Sequence, residues 1–304
     1  MRYKSKDKVE GGGKSFFIAT LSLFILLILL WYAVLPQESK ICGTKSSLNE
    51  CKCSINDEGI SRKNIVLIDV TDKIFSGKYP DIKNIIYSYA LTDESWSSFF
   101  KWIFNGKKTE VTSVYLLTDK IPAQMLPIGE FCKLPPTIAM SVSLSKVKIK
   151  VVKDNVINSI GDVMESIEVA SKTPAKTSPI IESISVITSN ASSWAPGGDL
   201  VIVSDMLQNT IACGFFENNP IPNYSAIGAI CKTYIDKFKA NVQPSKIHRG
   251  KTNTVVCLLP PIDSKTPKSG LMSFWHEMFQ DALNYDFIST CDPTEISDRK
   301  STIQ

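Results

Sequence analysis

The hydrophobic residues downstream of residue 62 alternate between two patterns along the chain. The first is a short, largely β-branched run bounded by polar or turn residues, and it occurs at residues 65–68, 114–117, 200–203 and 255–259. Continuous apolar runs of this length are typical of strands that are buried on both faces of a parallel sheet. We therefore predict four buried strands.

The second pattern is the i, i+3, i+4 spacing of amphipathic helices. It is clearest over residues 269–284, and it also marks helices around residues 156–167 and 227–238. Ser178 and Pro179 precede a further apolar stretch, and Glu182 follows them. A serine N-cap, a proline at the first helical position and an acid in the first turn predict a helix start there.

Strands that alternate with helices predict an α/β fold, a doubly wound and mostly parallel sheet flanked by helices with right-handed crossovers. One stretch departs from this rhythm, because Val147, Ile149 and Val151 alternate with three lysines. We interpret residues 146–151 as a half-buried strand at a sheet edge or in an inserted hairpin. Lysines on its outer face would protect the edge from pairing with another chain, and a functional basic patch is the alternative.

The N-terminal region contains an uncharged stretch from residue 15 to residue 37. A helix that spans the hydrocarbon core needs about 20 such residues, so we predict one transmembrane helix at residues 15–36 that contacts membrane lipid. A cleaved signal peptide is the alternative, but residues 31–36 offer no small-x-small site. The cations Arg2, Lys4, Lys6, Lys8 and Lys14 precede the helix, which predicts a cytoplasmic N-terminus.

These features divide the chain into five segments. We predict a basic cytoplasmic tail at residues 1–14, the membrane helix at 15–36, a juxtamembrane linker at 37–62, an α/β domain at 63–291 and a C-terminal tail at 292–304. The domain would lie on the extracytoplasmic side of the membrane.

The eight cysteines are an even number that an oxidising compartment could pair. Alternatively, cysteines such as Cys231 and Cys257 are buried small hydrophobic residues. A zinc site is disfavoured because the chain lacks paired C-x2-C motifs and has two histidines. The net charge of +4 comes from the tail and from scattered lysines, so no nucleic-acid partner is predicted.

Polar residues follow two of the predicted strands. Asp69 and Thr71 come after the first strand and Asp205 after the third, while Thr177 and Ser178 precede a helix. In an open parallel sheet, ligands bind beyond the carboxyl ends of the strands. An all-oxygen cluster there suits Mg²⁺, Mn²⁺ or Ca²⁺, so we predict a metal site formed by these five residues.

At these residues the chain resembles the von Willebrand factor type A family, whose metal-ion-dependent adhesion site uses a D-x-S-x-S loop, a distant threonine and a later aspartate. The resemblance implies that Asp69 is the first aspartate, Thr71 the first hydroxyl, Thr177 or Ser178 the distant hydroxyl, and Asp205 the final aspartate. Lys73 stands where the family has its second serine. An ammonium at that position would compete with a cation.

Three short phrases are similar to a set of bacterial membrane-anchored members of that superfamily, namely SDMLQNT from residue 204, TSPIIESI from residue 177 and FW at residues 274–275. The resemblance implies a single-pass protein of the bacterial inner membrane with its domain in the periplasm. For the domain itself, these phrases imply a shared fold. The resemblance to the von Willebrand factor type A family implies the function, a binding module that engages a protein partner and is not an enzyme.

Two other functions stay open. A haloacid dehalogenase-like phosphatase would use Asp69 as its nucleophile, with Thr118 after the second strand and Asp205 later in the chain. However, Thr71 then stands where a general acid is needed, so no residue is placed to protonate the leaving group. A scaffold role in an envelope complex, with a vestigial metal site, is the second alternative, and Lys73 favours it.

Overall fold

The structure is a computed structural model of the 304-residue chain. It describes residues 21–25, 60–71, 76–92, 94–96, 98–100, 109–119, 126–141, 144–173, 175, 177–189, 198–208, 210, 229–241, 253–258, 268–282, 286–292 and 295.

The described residues form a six-stranded sheet with the order β3-β2-β1-β4-β5-β6. Its strands are β1 (Ile60–Asp69), β2 (Thr109–Leu117), β3 (Gly129–Cys132), β4 (Leu200–Ser204), β5 (Asn253–Leu258) and β6 (Asp286–Ser289). Every neighbouring pair is parallel except β2 with β3, which is antiparallel. The predicted mostly parallel sheet is therefore confirmed.

Helices lie between the strands. They are α1 (Tyr79–Ala90), α2 (Thr137–Ser141), α3 (Lys146–Ser171), α4 (Ile180–Ser189), α5 (Ala229–Asn241) and α6 (Lys268–His276). A 3-10 turn (Ser76–Lys78) precedes α1, and a π-helical segment (Glu277–Ala282) continues α6.

The helices cover both faces of the sheet, which gives two hydrophobic cores. Alternate residues of β1 point to opposite faces: Val66 and Ile68 pack in the first core, and Ile65 and Leu67 in the second. The first core includes α1 and α3, while the second includes α4, α5, α6 and the π-helical segment. Burial on both faces explains why the central strands are continuously apolar.

The four predicted strands correspond to β1, β2, β4 and β5, and the predicted helices at 156–167, 227–238 and 269–284 lie where α3, α5 and α6 with its π-helical continuation are found. The sequence pattern missed β3 and β6, which lie at the two edges of the sheet. β1 also begins at Ile60, three residues before the predicted domain boundary at residue 63.

The interpretation of residues 146–151 as a strand is wrong, because they form the first turns of the 26-residue helix α3. The hydroxyl of Ser145 accepts a hydrogen bond from the Lys148 backbone N–H at 3.4 Å and so caps this helix. Ile149 and Val152 continue a buried helical stripe, whereas Val147 is exposed. The alternation of lysine with apolar residues covers only six residues. The buried stripe of the helix, in contrast, extends to Ile167, and it determines the structure of this segment.

Disulfide bonds are present among the described cysteines. Cys257 in β5 is bonded to Cys291, which follows β6, across 34 residues of sequence. Cys132 and Cys231 are disulfide-bonded as well. The interpretation of Cys231 and Cys257 as unpaired hydrophobic residues is therefore wrong, and the paired interpretation is confirmed for these four.

Most of the predicted N-terminal tail, membrane helix and linker lies outside the described residues. Within the predicted membrane helix, residues 21–25 are described, and they are helical with exposed apolar side chains. Over the part of the chain that the structure describes, no helix is both long and apolar enough to cross a membrane.

Candidate functional site

The predicted site residues follow neighbouring strands at the carboxyl edge of the sheet. Asp69 is the last residue of β1, and Asp205 immediately follows β4, which pairs with β1 in parallel. β1 lies between β2 and β4, so the chain leaves it toward β2 and later returns on its other side at β4. This change of direction defines the topological switch point where open α/β sheets bind ligands.

Asp69 is the centre of a buried hydrogen-bond network. Its Oδ1 accepts hydrogen bonds from the Thr71 backbone N–H at 2.9 Å and from the Thr71 hydroxyl at 2.5 Å. Its Oδ2 accepts from the Ser178 hydroxyl at 2.8 Å and from the Ser204 hydroxyl at 2.7 Å. Hydroxyls from three separate segments therefore converge on one carboxylate that is 6% exposed.

Burial and hydrogen bonding act on Asp69 in opposite directions. Burial raises the pKa of its carboxyl above the ordinary value, while the hydrogen bonds from Thr71, Ser204 and Ser178 lower the pKa but only partly offset this. The environment thus disfavours the charged form unless a cation or another positive group compensates it.

The turn after β4 holds Asp205 beside this network. Asp205 Oδ1 accepts from the Leu207 backbone N–H at 2.9 Å, and the Ser204 hydroxyl accepts from the Met206 backbone N–H at 2.8 Å. Met206 has a φ of 64°, a left-handed conformation that favours glycine. The Trp275 indole N–H donates to the Met206 carbonyl at 2.9 Å and fixes the turn from the second core.

The structure separates the two hydroxyls that the sequence left as alternatives. The Ser178 hydroxyl reaches Asp69, whereas the Thr177 hydroxyl donates to the Asp119 carbonyl at 3.0 Å. The predicted N-cap role of Ser178 is wrong, because α4 begins at Ile180, after Pro179, and the Ile181 backbone N–H donates to Gln208 Oε1 instead. Of the predicted set, Asp69, Thr71 and Ser178 are joined directly.

A second buried polar cluster ties the same turn to α4. Gln208 Oε1 accepts from the Ile181 backbone N–H at 2.9 Å, and its Nε2 donates to Glu182 at 2.7 Å. The Thr210 hydroxyl also donates to Glu182, at 2.8 Å. Gln208 therefore takes the capping role at α4 that local sequence had assigned to Ser178.

Ser204 and Gln208 were not among the predicted site residues. Both lie in the phrase SDMLQNT. Ser178, which donates to the same Asp69 oxygen as Ser204, and Glu182, which accepts from Gln208, lie in the phrase TSPIIESI. Trp275 of the FW phrase contacts the same turn. The three phrases thus meet in space around the turn after β4. Their occurrence together in one sequence was the signal that could have identified Ser204 and Gln208.

The donor chemistry of the network fits a hard cation. Its ligands are carboxylate and hydroxyl oxygens, and a hydroxyl that donates its proton to Asp69 keeps lone pairs for a metal. Among the described residues, no group of three or more His, Cys, Asp or Glu side chains could hold a metal ion. A cation here would therefore rely on two carboxylates and on hydroxyls. Asp72 and Lys73 lie outside the described residues.

The sequence matches no family model and no curated protein. Among solved structures, the chain is similar to the crystal structure of the human COPII-coat protein Sec24c, with a TM-score of 0.40 and 9% sequence identity. The similarity covers 78% of this chain and 30% of that chain, so the match spans less than a third of that chain's length. The class that the fold defines is an open α/β protein with a mostly parallel sheet.

Proposed function

We propose that this protein is a membrane-anchored, von Willebrand A-like binding module that engages a protein partner through the carboxyl edge of its sheet. The binding site is the rim, which we define as Asp69, Thr71, Ser178 and Asp205; these residues are buried and would meet the partner through a bound cation. The observation that carries this proposal is the convergence of three hydroxyls from separate segments on the Asp69 carboxylate at the switch point.

The rim residues have distinct roles in this proposal. The Ser204 hydroxyl donates a hydrogen bond to Asp69 and accepts one from the Met206 backbone N–H. We therefore assign Ser204 a positioning role and not a role as a metal ligand. Thr71 and Ser178 donate to Asp69 and would hold a Mg²⁺ or Mn²⁺ ion together with Asp69 and Asp205. When bound, such a cation supplies a coordination position that a partner's carboxylate can occupy.

We favour binding over phosphatase chemistry. A phosphatase that used Asp69 as its nucleophile would need a general acid to protonate the leaving group. Thr71 stands two residues after Asp69, where the general acid is expected. Its hydroxyl donates a hydrogen bond to Asp69 Oδ1, and a hydroxyl cannot serve as a general acid here.

The proposed location is the outer face of a bacterial inner membrane, with the N-terminus in the cytoplasm. The disulfide between Cys257 and Cys291 supports an oxidising compartment for the domain. The uncharged stretch at residues 15–37 supports the anchor.

Site-specific photocrosslinking in native membranes tests the proposal. A photoreactive amino acid replaces Thr177, which adjoins Ser178 at the rim, and a second version replaces Glu165, which is exposed on α3. We expect a discrete protein adduct from position 177 that disappears in the isosteric variant Asp69→Asn and in EDTA, and no such adduct from position 165. An adduct that persists in Asp69→Asn would contradict the rim proposal and favour the scaffold alternative.

A further inference from the structure

The amino edge of the sheet lies opposite the rim and is where the chain enters the domain. β1 begins at Ile60, which pairs with Thr109 at the start of β2. Any tether from the proposed membrane helix must therefore join the domain at this edge. The rim around Asp69 lies at the other end of the same strand.

Aromatic residues are exposed near this amino edge. Trp96 is 63% exposed and Phe100 is 49% exposed, and Phe99 packs against both with ring centroids 5.7 Å from each. The preceding residues are fixed at the amino edge, because Leu91 forms a parallel bridge with Leu134, and the adjacent Lys133 N–H bonds to the Glu110 carbonyl at the start of β2. We refer to Trp96, Phe99 and Phe100 as the aromatic segment.

Exposed lysines lie near the start of α3, the helix that contacts the residues before the aromatic segment. Lys146, Lys148 and Lys150 are exposed in the first turns of α3. Glu94, two residues before Trp96, accepts hydrogen bonds from Lys153 of α3 at 2.5 Å and from the Thr137 backbone N–H at 2.8 Å. These bonds join the aromatic segment to the lysine-bearing end of α3.

The position of these lysines is electrostatically unfavourable for the helix itself. The amino end of a helix carries a partial positive charge that repels cations, and α3 has no acidic residue in its first turn. Lys150 contacts Asp154 at 2.6 Å, one turn further along. Lysines at this end lower helix stability, so an external anion gives a reason for their placement.

We propose that the aromatic segment and the lysines Lys146, Lys148 and Lys150 form a second membrane contact, which lays the amino edge of the domain on an anionic lipid surface. This inference rests on the proposed anchor. It deepens the proposed function, because contact at the amino edge would turn the rim around Asp69 away from the membrane, toward a partner.

A bilayer fits this surface because three features coincide on one edge. The tether arrives there, tryptophan is favoured at membrane interfaces, and lysines attract anionic head groups. Fully extended, the linker of residues 37–59 reaches at most about 80 Å, so the anchor alone does not fix how the domain is oriented. A weak second contact would act at the high effective concentration that the tether provides.

Fluorescence of the full chain reconstituted in vesicles tests this proposal. The signal of Trp96 is the difference between wild type and Trp96→Phe, recorded in vesicles of phosphatidylcholine and phosphatidylglycerol with and without brominated acyl chains. We expect a blue-shifted Trp96 signal that brominated lipid quenches and acrylamide does not. Replacing Lys146, Lys148 and Lys150 with glutamine should reduce the quenching, as should vesicles without phosphatidylglycerol.

The matched control places a tryptophan at the opposite edge of the sheet. Leu126 is 74% exposed, and it precedes Ile128, whose N–H bonds to the Val114 carbonyl near the carboxyl end of β2. The difference signal of Leu126→Trp should be quenched by acrylamide and not by brominated lipid. Equal quenching by brominated lipid at both positions would overturn the proposed orientation.

Carbonate extraction of the same vesicles separates the two proposals. Protein that remains in the membrane pellet while Trp96 stays open to acrylamide would overturn the second contact and leave the anchor intact. Protein released by carbonate would overturn the anchor itself. A Trp96 signal shielded from acrylamide but insensitive to brominated lipid would point to contact with a second copy of the chain and would also overturn the lipid contact.

Discussion

The Ser204 hydroxyl donates a 2.7 Å hydrogen bond to Asp69 Oδ2, although 135 residues separate the two in the chain. The bond links the carboxyl ends of neighbouring strands β1 and β4. The Ser204 hydroxyl oxygen also accepts a hydrogen bond from the Met206 backbone N–H. Ser204 therefore both fixes the Asp69 carboxylate and starts the turn that carries Asp205.

We predict that Ser204→Ala lowers the free energy of unfolding by about 1–3 kcal/mol, because it leaves a buried carboxylate oxygen and a buried backbone N–H short of a partner. Chemical denaturation of the full chain in detergent measures the change. Ser166→Ala removes a hydroxyl from the exposed face of α3 and should change the free energy by less than about 0.5 kcal/mol. Equal effects of the two substitutions would contradict the buried network.

Met206 allows a test of backbone strain. Its side chain is fully buried, but its φ of 64° disfavours any residue with a Cβ. Met206→Gly and Met206→Ala both lose the packing of the side chain, and glycine also relieves the strain. We therefore predict that the glycine variant is more stable than the alanine variant by about 1 kcal/mol, measured by urea denaturation. A more stable alanine variant would show that the left-handed turn is absent.

The contact between Gln208 and Glu182 should couple the turn after β4 to α4. Gln208→Leu removes both the acceptor for the Ile181 N–H and a donor to a buried carboxylate, and we predict a loss of about 2–4 kcal/mol. In a double-mutant cycle with Glu182→Leu, the double variant should cost less than the sum of the singles by about 0.5–3 kcal/mol. Strictly additive losses would show that the two side chains do not interact.

Glu94 should contribute stability that depends on pH. Burial acts to raise the pKa of Glu94, but hydrogen bonds from Lys153 and Thr137 outweigh it and hold the pKa below the ordinary 4.5. Because the folded-state pKa is lowered, the contribution is present above the unfolded-state pKa and is lost as pH falls through the folded-state value.

Stability curves of wild type and Glu94→Gln should therefore converge as the pH falls below about 4.5, the ordinary carboxyl range. Thr137→Val, which removes one hydroxyl donor, should show a smaller pH-dependent change than wild type. A gap between wild type and Glu94→Gln that widens on acidification would contradict the assigned contacts.

The central strands were predictable because burial on both faces leaves a continuous apolar run in the sequence, as at residues 65–68. The edge strands were not. β3 reads GEFC, and Phe131 is its buried residue, so the strand leaves no distinctive pattern. Residues 146–151 showed the reverse problem, because a short alternation of lysine with β-branched residues imitated a strand within a long helix.

The site was predictable only in part, for a related reason. Asp69 and Asp205 follow buried strands, so their position at one edge follows from the rules for parallel sheets. Ser204 carries no local signal, because its role arises from a partner 135 residues away. Ser178 looked like a helix cap because that role is local, but the Ile181 N–H of α4 bonds to Gln208, 27 residues away, instead.

The most direct test of the central claim is the thermal unfolding midpoint of the full chain in detergent, measured with millimolar Mg²⁺ or Mn²⁺ and with EDTA. A cation that binds only the native state stabilises it by RT ln(1 + [L]/Kd), about 2.7 kcal/mol at a concentration of 100 Kd. If Asp69 helps to hold a divalent cation, the midpoint rises with metal in wild type and does not rise in Asp69→Asn. A wild-type midpoint that is the same in metal and in EDTA would contradict it.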